Sequence, residues 1–291
     1  MPGVVEIDTR LGGWHHVTAG YLIEGAAPVL IETGSQSSVP VLLDALAAQG
    51  LGPGDLAGIA VTHVHLDHAG GVGDVARAFP NATVYVHPRG ARHLVDPARL
   101  VASAATVYGD ALDGLYGRLL PTDAARVRAL EDGEEVVLGG GRTLAAVHSP
   151  GHAKHHMALH DSGSGALFVG DAVGVKLPGA GPIRPATPPA DFDLALALAH
   201  YGVLPESPAE ALDEAGDGLR EWASLASAAW AAGRDVEEAL RARFGPGIEA
   251  LPAHQRERVE ALNGIHSNAE GLEQWLARSG GPGPGAGFSG G

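Results

Sequence analysis

The 291-residue sequence predicts an α+β chain whose C-terminal part is wholly helical, and three observations carry that prediction. Short apolar runs alternate with helical periodicity through the first two-thirds of the chain. Four strand-like runs then follow one another with no helix between them, which an ordinary doubly wound α/β fold would not show. From about residue 209 to 278 only helical patterning remains.

Taken in order, residues 17–23 and 29–32 are apolar runs separated by Gly25-Ala26-Ala27-Pro28, the pattern of an antiparallel hairpin. Residues 38–49 have helical periodicity, with Gly50 just past their end as a C-terminal cap. Residues 59–61 form a short strand, 72–79 a short helix after Gly70-Gly71, and 83–86 a strand closed by His87-Pro88. Residues 97–120 read as a mixed, mainly helical insert, whose Tyr108, Tyr116 and glycines suit a lid over a site. The four consecutive strands are expected at 134–138, 143–147, 156–160 and 166–169, and helices at 210–232, 235–244 and 252–277. The run from Gly280 to Gly291 is Gly/Pro-rich and low in complexity, which predicts a flexible tail.

Composition narrows the function. Apolar residues make up 45% and charged residues 18%, and no apolar run approaches the roughly 20 residues of a membrane span. The start lacks a basic segment followed by an apolar one, so no signal peptide is expected. Cysteine is absent. That removes disulfides, thiolate metal sites and cysteine nucleophiles together, and it fits a cytoplasmic protein. The formal net charge is −15, from 34 acidic and 19 basic residues, a balance that repels phosphate backbones and argues against nucleic acid as a partner.

The chemistry concentrates at strand ends. Thr62-His63-Val64-His65-Leu66-Asp67-His68 places three histidines and an aspartate directly after Gly58-Ile59-Ala60-Val61. Imidazole suits zinc and iron, and a carboxylate adds a hard anionic ligand. So short a segment does not wrap a tetrahedron alone, and two ions sharing it is the easier geometry. Further candidates follow: His152 in Val147-His148-Ser149-Pro150-Gly151-His152, Asp171 at the end of Leu167-Phe168-Val169-Gly170, and His200 in Ala199-His200-Tyr201-Gly202.

HxHxDH, a later Pro-Gly-His and an apolar strand ending in Gly-Asp together resemble the metallo-β-lactamase superfamily of metallo-hydrolases, over residues 17 to 202. The resemblance implies an αββα sandwich, two mixed sheets face to face with helices outside and a dinuclear site at one edge. It implies that His63, His65 and His152 hold the first metal, that Asp67, His68 and His200 hold the second, and that Asp171 bridges them. Residues 1–205 would then be the catalytic domain, 206–278 a helical extension that caps the site or forms a homodimer contact, and 279–291 the tail. Here the sequence departs from the family: residues 191–199 run straight into His200, without the helix and strand that usually precede the last ligand. Either the backbone reaches the site by another route or the second metal site is incomplete.

The other histidines have plainer readings. His148 is expected to pack or to support a ligand, and His155 or His156 to hydrogen-bond a ligand or contact substrate. His15 and His16 read as a polar loop, or as lining the mouth of the site. His87, His93, His160, His254 and His266 have no motif support and read as surface or satisfied core histidines.

The function expected is a dinuclear metal-dependent hydrolase, with zinc as the default and iron or manganese also accepted by the ligands. Two dications on the order of 3.5–4 Å apart share a water, lower its pKa to give a metal-bound hydroxide, and polarise the carbonyl under attack. Asp67 would exchange the proton with water or leaving group. No Gly-x-Ser-x-Gly elbow offers another nucleophile. A thioester, ester or lactone is the expected small-molecule substrate, from resemblance to the glyoxalase II branch. Arg184, in Pro182-Ile183-Arg184-Pro185, could receive an anionic group, with Tyr108 and His156 as further substrate contacts. The alternatives are a phosphodiesterase, a one-iron oxidoreductase resembling persulfide dioxygenases, or a non-catalytic metal-binding scaffold if the second site is incomplete.

Overall fold

The computed structural model of the protein describes residues 1–176, 182–188 and 208–279. His200, the acid-rich stretch at 191–199 and the Gly/Pro-rich tail expected from 280 lie outside the described residues. The chain divides into two compact units: Met1–Ser149 with His155–Gly170, and Pro150–Lys154 with Asp171 onward.

In the first unit two sheets bury apolar side chains against each other. The first sheet has the order β1 (Val4–Asp8), β2 (Ala19–Ile23), β3 (Val29–Ile31), β4 (Gly58–Ala60), β5 (Thr83–Val86) and β6 (Val127–Ala129). The expected hairpin is present: β2 and β3 are antiparallel, pairing Tyr21 with Ile31 and Ile23 with Val29. From β3 to β6 the strands are parallel. The four consecutive strands of the sequence are β7 (Glu135–Gly139), β8 (Arg142–His148), β9 (Met157–Asp161) and β10 (Leu167–Phe168), all antiparallel, in the order β10-β9-β8-β7. Ile23, Ile31, Ala60 and Tyr85 of one sheet share a buried cluster with Val136, Leu144, Met157 and Leu159 of the other.

Helices join the parallel strands, since a parallel pair needs a crossover connection. They are α1 (Val39–Ala48), α2 (Leu66–Ala69), α3 (Val72–Ala78), α4 (Pro88–Val95), α5 (Ala98–Tyr108) and α6 (Ala111–Leu115). β4 reads Gly-Ile-Ala and is wholly buried, as expected of a central parallel strand covered on both faces. Its C-terminal end, with those of β3 and β5, forms the rim where ligands gather in open α/β arrangements.

The second unit is built on α7 (Pro208–Ala231), α8 (Val236–Glu249), α9 (Ala253–Asn263) and α10 (Ile265–Ser279). Leu219, Trp222, Leu240, Ile248, Val259, Leu272 and Leu276 form its core. The expected single helix at 252–277 is two helices, because the chain leaves helical geometry at Gly264 (φ −69°, ψ 161°). No helix among the described residues is long and apolar enough to cross a membrane.

Candidate metal centre

The first unit presents its donors on the turn that leaves β4. His65 is extended (φ −64°, ψ 151°) and opens α2, so Asp67 and His68 fall on a single helical turn. The turn closes through His65 O, which accepts from His68 N at 3.1 Å and Ala69 N at 2.8 Å. The histidines therefore converge instead of alternating sides as they would on a continuing strand. A nitrogen of His63 lies within 4.8 Å of one on His65 and one on His68, and the His63 and His68 ring centroids are 4.2 Å apart.

Each ring is oriented by a neighbour, and the neighbour decides which nitrogen faces the cluster. His63 Nδ1 meets Thr62 Oγ1 at 3.0 Å, leaving Nε2 turned inward, 3.0 Å from His65 Nδ1. His68 Nδ1 meets Glu32 Oε2 at 2.6 Å, with both side chains almost fully buried. A carboxylate oxygen only accepts, so His68 carries its proton on Nδ1 and turns a lone pair outward at Nε2. The other oxygen of Glu32 accepts from Thr62 N at 2.6 Å. Asp67 is 26% exposed in its side chain, with Oδ2 3.6 Å from His68 Nε2.

The second unit holds a histidine–aspartate pair of its own. His152 Nδ1 donates to Ala186 O at 3.1 Å, and His152 Nε2 lies 3.4 Å from Asp171 Oδ2. Both side chains are under 10% exposed. Asp171 sits in the single tight turn Gly170–Val173 that follows β10. Gly170 has φ +48°, and a Cβ there would stand 2.2 Å from Thr62 Oγ1 and 2.8 Å from His156 Nε2, so the Gly of the Gly-Asp pair is sterically required.

This donor chemistry fits a divalent metal. Zn–N bonds of about 2.0–2.1 Å set two ligand nitrogens of one tetrahedral ion about 3.3 Å apart, close to the His63–His65 spacing. A far ring nitrogen engaged by a carboxylate, hydroxyl or carbonyl is the usual support of metal-binding imidazoles. Buried imidazoles and carboxylates packed this closely need a counter-charge or a ligand to justify their desolvation.

The remaining sequence candidates divide by environment. His156 is fully buried, bonded to Ser149 Oγ at 2.8 Å, with its ring 5.0 Å from His63. His148 bonds Leu130 O at 2.9 Å and packs against His87, ring centroids 4.1 Å apart. His87 caps α4 by accepting from Arg89 N, and burial, with His148 and Arg89 adding, pulls its pKa down to about 4. Arg184 is buried, and that burial pulls its guanidinium pKa below the usual range. Tyr108 is 39% exposed and rests on Tyr116, centroids 4.7 Å apart.

Sequence reading missed Glu32. Its signal was an ionisable residue at the end of the apolar run Val29-Leu30-Ile31, on the strand parallel to the one that delivers the histidines. A charge at that position is costly unless it is paired.

A mixed sheet packed on an antiparallel sheet, helices on the crossovers and a histidine–aspartate cluster at the strand rim define a metal-binding αββα protein. The chain matches the metallo-beta-lactamase superfamily over residues 12–212 and belongs to that family. It is 36% identical over 136 residues to a metallo-beta-lactamase fold-containing protein of Sulfurisphaera tokodaii, covering 45% of this chain and 49% of that one. It is 32% identical over 132 residues to a hydroxyacylglutathione hydrolase of Aeromonas salmonicida, covering 45% of this chain and 38% of that one. An atrochrysone carboxyl ACP thioesterase of Cryptosporiopsis is 29% identical over 150 residues, covering 51% of this chain and 36% of that one. The alignments thus span half or less of these curated relatives. Among solved structures, an archaeal metallo-beta-lactamase superfamily protein from Sulfolobus tokodaii superposes with a TM-score of 0.61 at 22% identity, covering 94% of this chain and 99% of that one.

Proposed function

We propose that this protein is a metal-dependent hydrolase that holds two divalent ions, zinc by default, and cleaves a thioester, ester or lactone. We assign His63, His65 and His152 to one ion, Asp67, His68 and His200 to the other, and Asp171 as the bridge. The observation that carries this reading is the common orientation of His63, His68 and His152. Each has Nδ1 engaged by a neighbouring oxygen and Nε2 presented as the ligand nitrogen. Relatives bearing the names hydroxyacylglutathione hydrolase and ACP thioesterase support a carbonyl substrate.

Bound dications would activate water and polarise the carbonyl oxygen of the substrate. The chain's own part is positional. Glu32 and Thr62 hold His68 and His63 in single ring orientations. Asp67, the most exposed carboxylate among the assigned ligands within the described residues, can take a proton at Oδ2 from water and pass it to the leaving group. His156, fully buried, is assigned to supporting His63 and not to contacting substrate.

Elemental analysis of the purified protein, followed by a panel of thioesters, esters, lactones and phosphodiesters, tests the proposal. About two zinc, iron or manganese ions per chain with turnover of a carbonyl ester or thioester supports it. One ion with oxygen uptake on a persulfide would replace it with the one-iron oxidoreductase. Metal without turnover would replace it with a scaffold, and turnover of phosphodiesters alone with a phosphodiesterase.

A further inference from the structure

His152 Nδ1 is engaged by a backbone carbonyl, that of Ala186, at 3.1 Å. A carbonyl only accepts, so the contact places the ring proton on Nδ1 and presents Nε2 toward Asp171. Ala186 lies in the segment 182–188, which has no helix or ladder of its own. One end is held by the isolated bridge between Val175 and Arg184. The other end is held by Asn268 of α10, 81 residues away. Thr187 N donates to Asn268 Oδ1 at 2.9 Å, and the Thr187 hydroxyl is shared between Asn268 Oδ1 at 2.7 Å and Asn268 O at 3.0 Å.

Asn268 is itself fixed. It is 1% exposed, and its Nδ2 donates to Asn263 Oδ1 at 2.5 Å and to Gly264 O at 3.1 Å, at the break between α9 and α10. Both halves of the amide are thus committed, and a reversed Asn268 amide would not satisfy the same partners. One turn on, Gly271 admits the segment to the helix surface: a Cβ there would stand 1.7 Å from Thr187 O. A buried amide of this kind costs desolvation and gains geometric definition when every group is matched.

We infer that Asn268 is a positioning residue for His152, acting through Thr187 and the carbonyl of Ala186. The inference rests on the ligand role proposed above for His152. The helical unit thereby sets the geometry of a metal ligand through a hydrogen-bonded latch, instead of merely following the catalytic region in the chain.

The experiment compares wild type, Asn268→Ala, Thr187→Val, Thr187→Ser and Leu240→Ala as full-length chains. Zinc affinity is read by competition with a chromophoric chelator, and the His152 ring tautomer by long-range ¹H–¹⁵N correlation in metal-free protein. Asn268→Ala should weaken zinc about 10-fold, the lower end of the effect of groups that support ligands, and should populate the Nε2–H tautomer of His152. Thr187→Val, which loses the hydroxyl but keeps the N–H, should move both readouts less in the same direction, and Thr187→Ser should restore them. Leu240→Ala, in the core of the helical unit, should lower Tm and leave both unchanged. Wild-type affinity and tautomer in folded Asn268→Ala or Thr187→Val would overturn the inference, as would an equal loss in Leu240→Ala. If Asn268→Ala does not fold, the Thr187 pair decides. Wild-type protein that binds no zinc would remove the ligand reading alone, because the tautomer in metal-free protein still reports on the latch.

Discussion

Replacing Glu32 by glutamine changes one atom that matters. Glu32 Oε2 accepts from His68 Nδ1 at 2.6 Å, and Oε1 accepts from Thr62 N at 2.6 Å. Glutamine can keep the second contact with its carbonyl oxygen, but its NH₂ then faces a ring N–H. The two donors either abut, leaving a buried donor unsatisfied at about 1–3 kcal/mol, or His68 moves its proton to Nε2. The second route relieves the clash and removes the lone pair that would ligate. Groups that support a ligand imidazole are worth 10–100-fold in metal affinity, or about 1.4–2.7 kcal/mol. On the two-ion assignment proposed above, the exchange touches His68 and not His63, His65 or His152, so E32Q should retain one ion tightly and lose affinity for the other. Isothermal titration of metal-free protein with zinc resolves the two steps. Two steps with wild-type affinities in folded E32Q would refute the reasoning. The residue's backbone supports its special standing: Glu32 has φ +62°, a conformation that costs a non-glycine residue on the order of 1–3 kcal/mol and that the side-chain contacts hold in place.

Asp171→Ala or Asp67→Ala should lose metal and turnover together, checked by elemental analysis beside the substrate assay; retained activity in either would remove the proposed dinuclear mechanism. His87 gives a pH signature. Its pKa is about 4 when folded against 6.5 unfolded, so the unfolded chain takes up the proton first as pH falls. Stability from this site is therefore full above about pH 6.5 and declines toward pH 4 by up to about 3 kcal/mol. Denaturant melts of metal-free wild type and His87→Asn, which keeps a capping oxygen but does not titrate, should diverge across that window. Asp161, fully buried at the end of β9, accepts from Arg142 Nε at 2.6 Å, Gly163 N and Ser164 N, and Arg142 also reaches Glu24 O and Gly3 O. These hydrogen bonds hold its carboxyl well below the usual range against the opposing effect of burial. Asp161→Ala should cost about 3 kcal/mol in urea denaturation, since it strands a cation that is only 16% exposed.

The sequence by itself determined what short-range pattern can encode. β5 lies at its expected residues 83–86, the four-strand run is present, and the helical C-terminal region is helical. Each follows from a local period of side-chain burial. His63, His65, Asp67 and His68 were legible as a cluster because they are close neighbours in sequence just after one buried strand. Only the tertiary structure decided matters that depend on distant partners. β1 carries just one fully buried residue among its five, and β6 none among its three, so both form at sheet edges with little pattern to announce them. The split of the last helix follows from Gly264, whose carbonyl is taken by Asn268 Nδ2. The tautomer of each histidine was likewise out of reach. Glu32 lies 36 residues from His68, and Ala186 lies 34 from His152. Residue type tells which atoms can bind a metal, but the proton on an imidazole goes where an acceptor waits, and the fold alone brings that acceptor near.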